Sequence, residues 1–450
     1  MSHRHDKGSK PAQRLAHALA GLTVAAVVLT GCAVGAASET TASSTSTSTS
    51  TSTAQQSASG EFFDTDEVHS ISVSYDEGDY QAMLDAYASS GEKEWISATV
   101  TIDGTVFENV GLRLKGNSSL RGVVETDSGD GTAGETEPES LPWLIRLDKY
   151  VDGQVYDGRS DFVVRGSSTQ TSLNEAVALS VLAASDVATE QYAYVRFSVN
   201  GGAEQLRLVL DLPDDSGWNS DTFQNPGITY KADSGGDYSY RGDGADDYAD
   251  VFDLKSNNSS LSGDDAFTPL ADFLEFLATA SDDEFANRLS SYLDVDEFAR
   301  YLAVQELVAN TDDIDGPGNN SYLRWDETTG TFTVIAWDQN LSYGVSPGGG
   351  GAGAGGRTAQ GGGGARGGGA GGGGGGGSRS NVLVERFLAD EGFSALYAEA
   401  LQQLRSDVYD SGVAQTRLNT LVELLKTQAS DLVSAATIQS EADAISAQLD

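Results

Sequence analysis

From 348 to 377 the chain is glycine and alanine apart from Arg357, Thr358, Gln360 and Arg366. Such a segment carries no side chain large enough to build a core, and glycine loses the most backbone freedom on ordering. It reads as a disordered insertion, with its flanks at 347–380. Whatever folds must therefore be assembled from about 280 residues before it and about 70 after it, enough for one large or two small domains. Residues 32–60 are equally unable to fold. They are rich in Ser, Thr and Ala, contain the repeat Ser-Thr-Ser-Thr and show no apolar periodicity, so they read as a flexible tether.

The tether is preceded by a segment with the layout of an export signal. Arg4, Lys7, Lys10 and Arg14 form a positive start, and an apolar run from Leu15 to Leu29 follows. The run is too short and too small-residued for a spanning helix. It ends in Leu29-Thr30-Gly31-Cys32, similar to a bacterial lipobox. Residues 1–31 then read as a cleaved lipoprotein signal peptide, with Cys32 the site of lipidation. The expected location is the extracellular face of a bacterial cell membrane, held there by the lipid. Cys32 is the only cysteine, so the mature domain has no intramolecular disulfide and rests on packing alone.

Charge and histidine content narrow the chemistry. The net charge is −40, and removing 1–31 leaves 23 basic against 66 acidic residues, about −43. Such a surface repels nucleic acid and anionic lipid and favours basic partners and divalent cations. Of the four histidines only His69 lies beyond residue 31, which excludes a histidine-clustered zinc site and a serine–histidine triad.

Periodicity assigns the elements of an α+β fold. Val68 to Tyr75 and Ile96 to Ile102 alternate as strands around a helix near Tyr80 to Tyr87. Val110 to Lys115 and Trp143 to Tyr150 are further strands, separated by an acidic loop over 123–140. Leu173 to Ala184 is a helix, with Ser172 and Glu175 in capping-box positions. Ala193 to Val199 and Leu206 to Leu212 form a hairpin at Asn200-Gly201-Gly202, so the first half reads as a mixed sheet with one long helix. Pro269 to Thr279 and Ser281 to Tyr292 are helices, and Asp294, with Glu297 in the boxed position, caps a long helix. That helix runs into Asn310-Thr311-Asp312-Asp313-Ile314-Asp315-Gly316-Pro317-Gly318-Asn319-Asn320. Strands Tyr322 to Trp325 and Thr331 to Ala336 follow, then Trp337-Asp338, and 381–450 reads as two or three helices.

The succession of helix, acidic loop ending in asparagine, tight hairpin and aspartate suits phosphoryl transfer. In kinase-like sites a loop aspartate orients the attacking hydroxyl, while a later asparagine and an aspartate past a hairpin hold the magnesium ions. Asp312 or Asp315 fits the first role, Asn320 and Asp338 the others; Asp315 to Asn320 has the spacing of ordinary protein kinases. A calcium loop fits poorly, since Thr311 and Tyr322 stand where acids are required. At the end of the third strand, Lys115-Gly116-Asn117-Ser118-Ser119 offers backbone N–H groups and hydroxyls that suit a phosphate cradle or a polar turn.

Several blocks in order make the chain resemble the CotH family, named for a spore-coat protein and regarded as atypical secreted protein kinases. They are Gly-Leu-Arg-Leu-Lys-Gly-Asn-Ser-Ser at 111–119, Pro-Trp-Leu-Ile-Arg-Leu-Asp-Lys-Tyr at 142–150 and Thr-Tyr-Lys-Ala-Asp at 229–233. Phe-Asp-Leu-Lys-Ser-Asn at 252–257, Asn-Thr-Asp through Tyr-Leu at 310–323 and Ile-Ala-Trp-Asp-Gln-Asn-Leu-Ser-Tyr-Gly at 335–344 complete the set. The resemblance implies a kinase domain over 61–346 with a protein-kinase-like two-lobed architecture. It implies transfer of the ATP γ-phosphate to Ser or Thr of surface or secreted proteins, with Mg²⁺ or Mn²⁺. It implies that Asp312, in the Asn-x-Asp motif, is catalytic, that Asp338 and Asn320 hold metal, and that Lys149 and Lys231 join Lys115, Asn117 and Ser118 at the nucleotide. Three departures from the family pattern, Asn319 for histidine, Gln339 for leucine and Leu206 to Asp211 for a Gly-Leu-Tyr-x-x-x-Glu run, leave an adhesion or scaffold protein of the same fold as the alternative.

Overall fold

The computed structural model describes residues 62–116, 118–120, 137–166, 168–233, 237–316, 319–345 and 381–449. Cys32, the signal and tether segments, Asn117 and the glycine insertion lie outside the described residues, as does the side chain of Ser118.

Alternation of apolar and polar residues builds a barrel. Its strands are β1 (Val68–Tyr75), β2 (Ile96–Ile102), β3 (Thr105–Leu114), β4 (Trp143–Arg146), β5 (Asp161–Val164), β6 (Tyr192–Val199) and β7 (Gln205–Leu210). Helix α1 (Glu77–Ser90) lies between β1 and β2, and α2 (Leu173–Ala184) between β5 and β6. The closed order is β1-β2-β3-β4-β5-β7-β6. Six contacts are antiparallel; the closing one is parallel, with Ile71 of β1 opposite Phe197 of β6. Closure leaves no free edge in this sheet. The mixed sheet is legible in the sequence pattern but its closure is not, because the short strand β5 and a parallel pairing between residues 126 positions apart leave no local mark.

Strand period decides which core each residue joins. In β4, Trp143 and Ile145 point into the barrel with Leu112, Leu114, Phe162 and Phe197, while Leu144 points outward. The outward set, Leu144, Val163, Leu208 and Leu210, belongs to a second core with Leu173, Val177 and Val181 of α2.

That second core is built on α3 (Ser216–Thr222), the strands β8 (Gly227–Ala232) and β9 (Phe252–Asn257), and helices α4 (Thr268–Thr279), α5 (Asp282–Arg288) and α6 (Val295–Leu307). Strands β10 (Ser321–Asp326) and β11 (Phe332–Ala336) complete an antiparallel sheet of order β11-β10-β8-β9. After the glycine insertion come four helices rather than two or three: α7 (Val382–Ala389), α8 (Glu391–Leu404), α9 (Val413–Gln428) and α10 (Ala435–Leu449). They are tied to the rest of the fold. Tyr409 donates to the Leu307 carbonyl at 2.8 Å, and Arg417 to the Tyr192 hydroxyl at 3.1 Å. The architecture is α+β, with ten α-helices among the described residues, and none of them is long and apolar enough to cross a membrane.

The expected caps divide instructively. Ser281 and Glu284 form the reciprocal box. At α6, Asp294 caps the Glu297 amide at 3.0 Å, but the Glu297 side chain turns inward, where burial and then Asp294 push its pKa up to about 8. At α2 the box is absent. Ser172 makes no capping bond with its side chain, Thr171 accepts from the Leu173 amide at 3.2 Å, and Glu175 is engaged elsewhere.

Candidate active site

The apolar stripe of α6 (Phe298, Tyr301, Leu302, Val304) packs the helix into the core and delivers its end to a buried turn. Ala309 takes a left-handed conformation (φ 51°) and ends the helical path. Asn310 then works in three directions. Its amide donates to Gln339 Oε1 at 3.2 Å and to the Asp338 carbonyl at 3.5 Å, while its oxygen accepts from the Asp312 amide at 3.2 Å. The Asn320 side chain donates to the Asp312 carbonyl at 2.9 Å, closing the loop from its other end. Gly316 is required here, since a Cβ would lie 2.5 Å from Asp312 Cα. The two aspartates left open by spacing are separated by their contacts: Asp315 Oδ1 accepts from the Asn381 amide at 2.8 Å, anchoring the start of α7.

Hairpin register brings the residues expected to hold metal to the same end. Ser321 lies opposite Ala336, so Asn320 and Asn319 stand beside Trp337 and Asp338. Asp338 has φ 61° and ψ 71°, a left-handed conformation uncommon for a non-glycine residue and of the kind found at functional sites. Its Oδ1 takes a short hydrogen bond from Arg165, and its Oδ2 has no hydrogen bond among the described residues. Arg165 follows β5 directly and is clamped a second time by Glu175 of α2, at 2.9 Å and 3.1 Å. Burial alone would lower the Arg165 pKa, but Asp338 and Glu175 more than reverse it, so the guanidinium stays charged. Burial pushes the Glu175 carboxyl up, against the pull of Arg165. Arg207 of β7, fully buried, sets the backbone beneath by donating to the carbonyls of Arg165 and Leu141, each at 3.0 Å.

Two of the three expected lysines meet here. Lys231 of β8 faces Tyr322 in register, with its ammonium 5.0 Å from the ring centre and 3.0 Å from the Ala232 carbonyl. Lys115 follows β3 and places its ammonium 5.4 Å from the centre of the Trp337 ring. Burial lowers the pKa of each to about 8; Lys255 and Arg113 press further on Lys115, and Lys115 on Lys231, while Asp214 pulls both back up. The Tyr322 hydroxyl donates to Asp214 at 2.8 Å, which holds that acid in the same cleft. Lys149 is placed differently: its side chain is exposed, with its ammonium 5.1 Å from the Trp95 ring centre on the outer wall of the barrel.

A family model described as "CotH kinase protein" matches residues 112–442, from within β3 to the middle of α10. The chain belongs to the CotH kinase family. No curated protein matches it. The match spans the barrel strands β4 to β7, the four-stranded sheet and the C-terminal helices, so the CotH unit includes the helices after the glycine insertion.

The residues at this CotH site suit a hard divalent cation in the way phosphate-bound Mg²⁺ is usually held. Asp338 offers a free carboxylate oxygen on a side chain one quarter exposed, and Asn320 stands next to it across the hairpin. No group of three or more His, Cys, Asp or Glu side chains is placed to hold an ion among the described residues. An ion here must complete its shell with phosphate oxygens and water, as Mg²⁺ commonly does. Sequence reasoning missed Arg165, Glu175, Arg207 and Asn310. For Glu175 the helix-start pattern offered a stronger local explanation as a cap. Arg165 follows the apolar strand β5 and Arg207 lies in the apolar strand β7, and their burial is visible only once barrel and helix are assembled.

Proposed function

We propose that this CotH protein is an exported, lipid-anchored atypical protein kinase that transfers the γ-phosphate of ATP to Ser or Thr hydroxyls of surface or secreted proteins. The observation that carries this is the meeting of Asp338, Asn320, Lys115 and Lys231 at one end of the β10–β11 hairpin, with Asp312 held at the adjoining turn. In this reading the closed barrel and the four-stranded sheet with its helices act as the two lobes of a kinase, with ATP between them. Lys115 and Lys231 pair with phosphate oxygens. Asn320 and Asp338 would hold Mg²⁺ or Mn²⁺, which would neutralise charge on the phosphates. Asp312 accepts the proton of the attacking hydroxyl and aims its oxygen at the γ-phosphorus, while the departing ADP keeps the bridging oxygen. Cys32 carries the lipid that keeps the domain at the extracellular face of the membrane.

A second reading, a weakly active or inactive adhesion or scaffold protein, is favoured by one feature. Arg165 already occupies one oxygen of Asp338 and competes with a metal there. Calorimetry with ATP and Mn²⁺, beside a labelled-phosphate transfer assay, separates the two. Asp338→Ala is expected to abolish metal-dependent ATP binding. Asp312→Ala is expected to keep binding and to lose transfer by about two to four decades, the usual worth of a positioned acid–base group. Absence of nucleotide binding by the unmutated protein with any divalent metal refutes the kinase reading. Anchoring is tested separately: Cys32→Ala should move the protein from the membrane fraction to the medium, and retention in the pellet refutes it.

A further inference from the structure

The net charge of −40 conceals a cluster of cations on the barrel wall. Arg113 and Lys115 are two residues apart at the end of β3 and share its outer side, while Leu112 and Leu114 fill the interior. Trp95 stands beside Arg113, because Ile96 pairs with Leu112. The Arg113 guanidinium lies 4.6 Å from the centre of the Trp95 ring, the Lys149 ammonium 5.1 Å and the Arg146 guanidinium 5.5 Å. Lys149 can lie against the strand because residue 111 is glycine: a Cβ there would sit 2.5 Å from Lys149 Cβ. The result is a row of cations from exposed Lys149, across Trp95, to Lys115 at the cleft.

Ion pairing divides the members of the row. Acids outnumber bases by 67 to 27, and Arg159, Arg165, Arg196, Arg241, Lys255 and Arg386 each hold a carboxylate. Arg146 in the row is likewise neutralised by Asp161, through bonds of 2.7 Å and 2.6 Å. The side chains of Arg113, Lys115 and Lys149 make no ion pair and no hydrogen bond among the described residues, and Arg113 Nε is buried without an acceptor. Among the described residues, none of the chain's many carboxylates is bonded to these three cations.

We infer that this row is a docking track for an acidic segment of the phosphoacceptor protein. The segment's carboxylates lie on Lys149 and Arg113 while its hydroxyl enters the cleft at Asp312; the inference rests on the transfer reading above. An extended peptide repeats its side chains on one face every 7 Å or so, about the separation of Arg113 and Lys115. Trp95 supplies a rigid apolar floor between the charges, as aromatic side chains do at binding surfaces. A basic partner, which the net charge alone would favour, is repelled at this face.

Fluorescence anisotropy on the full-length protein tests the track without requiring turnover. The probes are a labelled serine peptide flanked by Asp and Glu, its Asn/Gln counterpart and a Lys-flanked counterpart. The acidic peptide is expected to bind at least about tenfold more tightly than the amide peptide, with the advantage shrinking as salt screens the charges. Lys149→Glu, on an exposed side chain, should weaken acidic-peptide binding about tenfold, more than it weakens ATP binding, and Lys149→Arg should retain it. Equal or tighter binding of the amide or Lys peptide overturns the proposal. So does a loss of ATP affinity as large as the loss of peptide affinity, which would assign the row to nucleotide phosphates. Acidic peptide bound but never phosphorylated leaves the track standing and removes the kinase reading. Transfer without any preference for acidic flanks removes the track alone.

Discussion

Replacing Glu175 with Gln isolates the clamp that holds Asp338. Arg165 is 9% and Glu175 2% exposed, so the pair is shielded from solvent. Breaking a buried pair by removing one partner costs about 3–5 kcal/mol, because the remaining charge is left without compensation. Gln keeps one acceptor for Arg165, and Asp338 stays in place, so the low end, about 3 kcal/mol, applies. For an ordered body of roughly 330 residues the unfolding entropy is about 0.7 kcal/mol per kelvin, which converts that loss into a fall in Tm of about 4 °C. The same change leaves Asp338 as the one charged partner of Arg165 among the described residues, so ATP–Mn²⁺ affinity should fall together with stability. Thermal unfolding and calorimetry on Glu175→Gln, Arg165→Met and the double variant give the cycle. A Tm change under about 1 °C, or additivity of the two changes within about 0.5 kcal/mol, refutes the clamp.

Nucleotide affinity should depend on pH through Lys115 and Lys231, whose pKa values lie at about 8. Phosphate favours the charged ammonium, so affinity should be flat below pH 8 and decline above it; equal affinity at pH 7 and 9.5 by calorimetry would refute their role. Glu297 has a folded pKa of about 8 against an ordinary 4.5, so between these values the native state holds the extra proton and stability falls as pH rises. Glu297→Gln should remove that slope and melt several degrees above the unmutated protein at pH 9, and a parallel pH profile of Tm for the two proteins would count against it. Asp315→Ala removes the acceptor of the Asn381 amide and should cost about 1 kcal/mol while keeping phosphoryl transfer. A loss of transfer by two decades or more would make Asp315, not Asp312, the catalytic aspartate.

Where neighbours within a few positions carry the information, the sequence was enough. The strands Val68–Tyr75 and Ile96–Ile102 and the helix Leu173–Ala184 follow from period alone, because one buried face dictates the spacing of apolar residues. The hairpin at Asn200-Gly201 follows from two left-handed residues, with φ 47° and 75°. The order of loop, asparagine, hairpin and aspartate likewise announced which residues meet at the end of β11. Tertiary structure decided what depends on partners distant in the chain. Closure of the barrel pairs Ile71 with Phe197, and the Asp338 clamp joins residues 165, 175 and 338. Glu175 shows why such features stay hidden. Its position satisfies a helix cap equally well, and only a buried arginine arriving from another strand makes the ion pair the more favourable use of its charge. Lys149 shows the same for the surface: it stands in a family block, but Gly111 and Trp95, brought beside it by strand pairing, determine that it faces outward from the barrel rather than into the cleft.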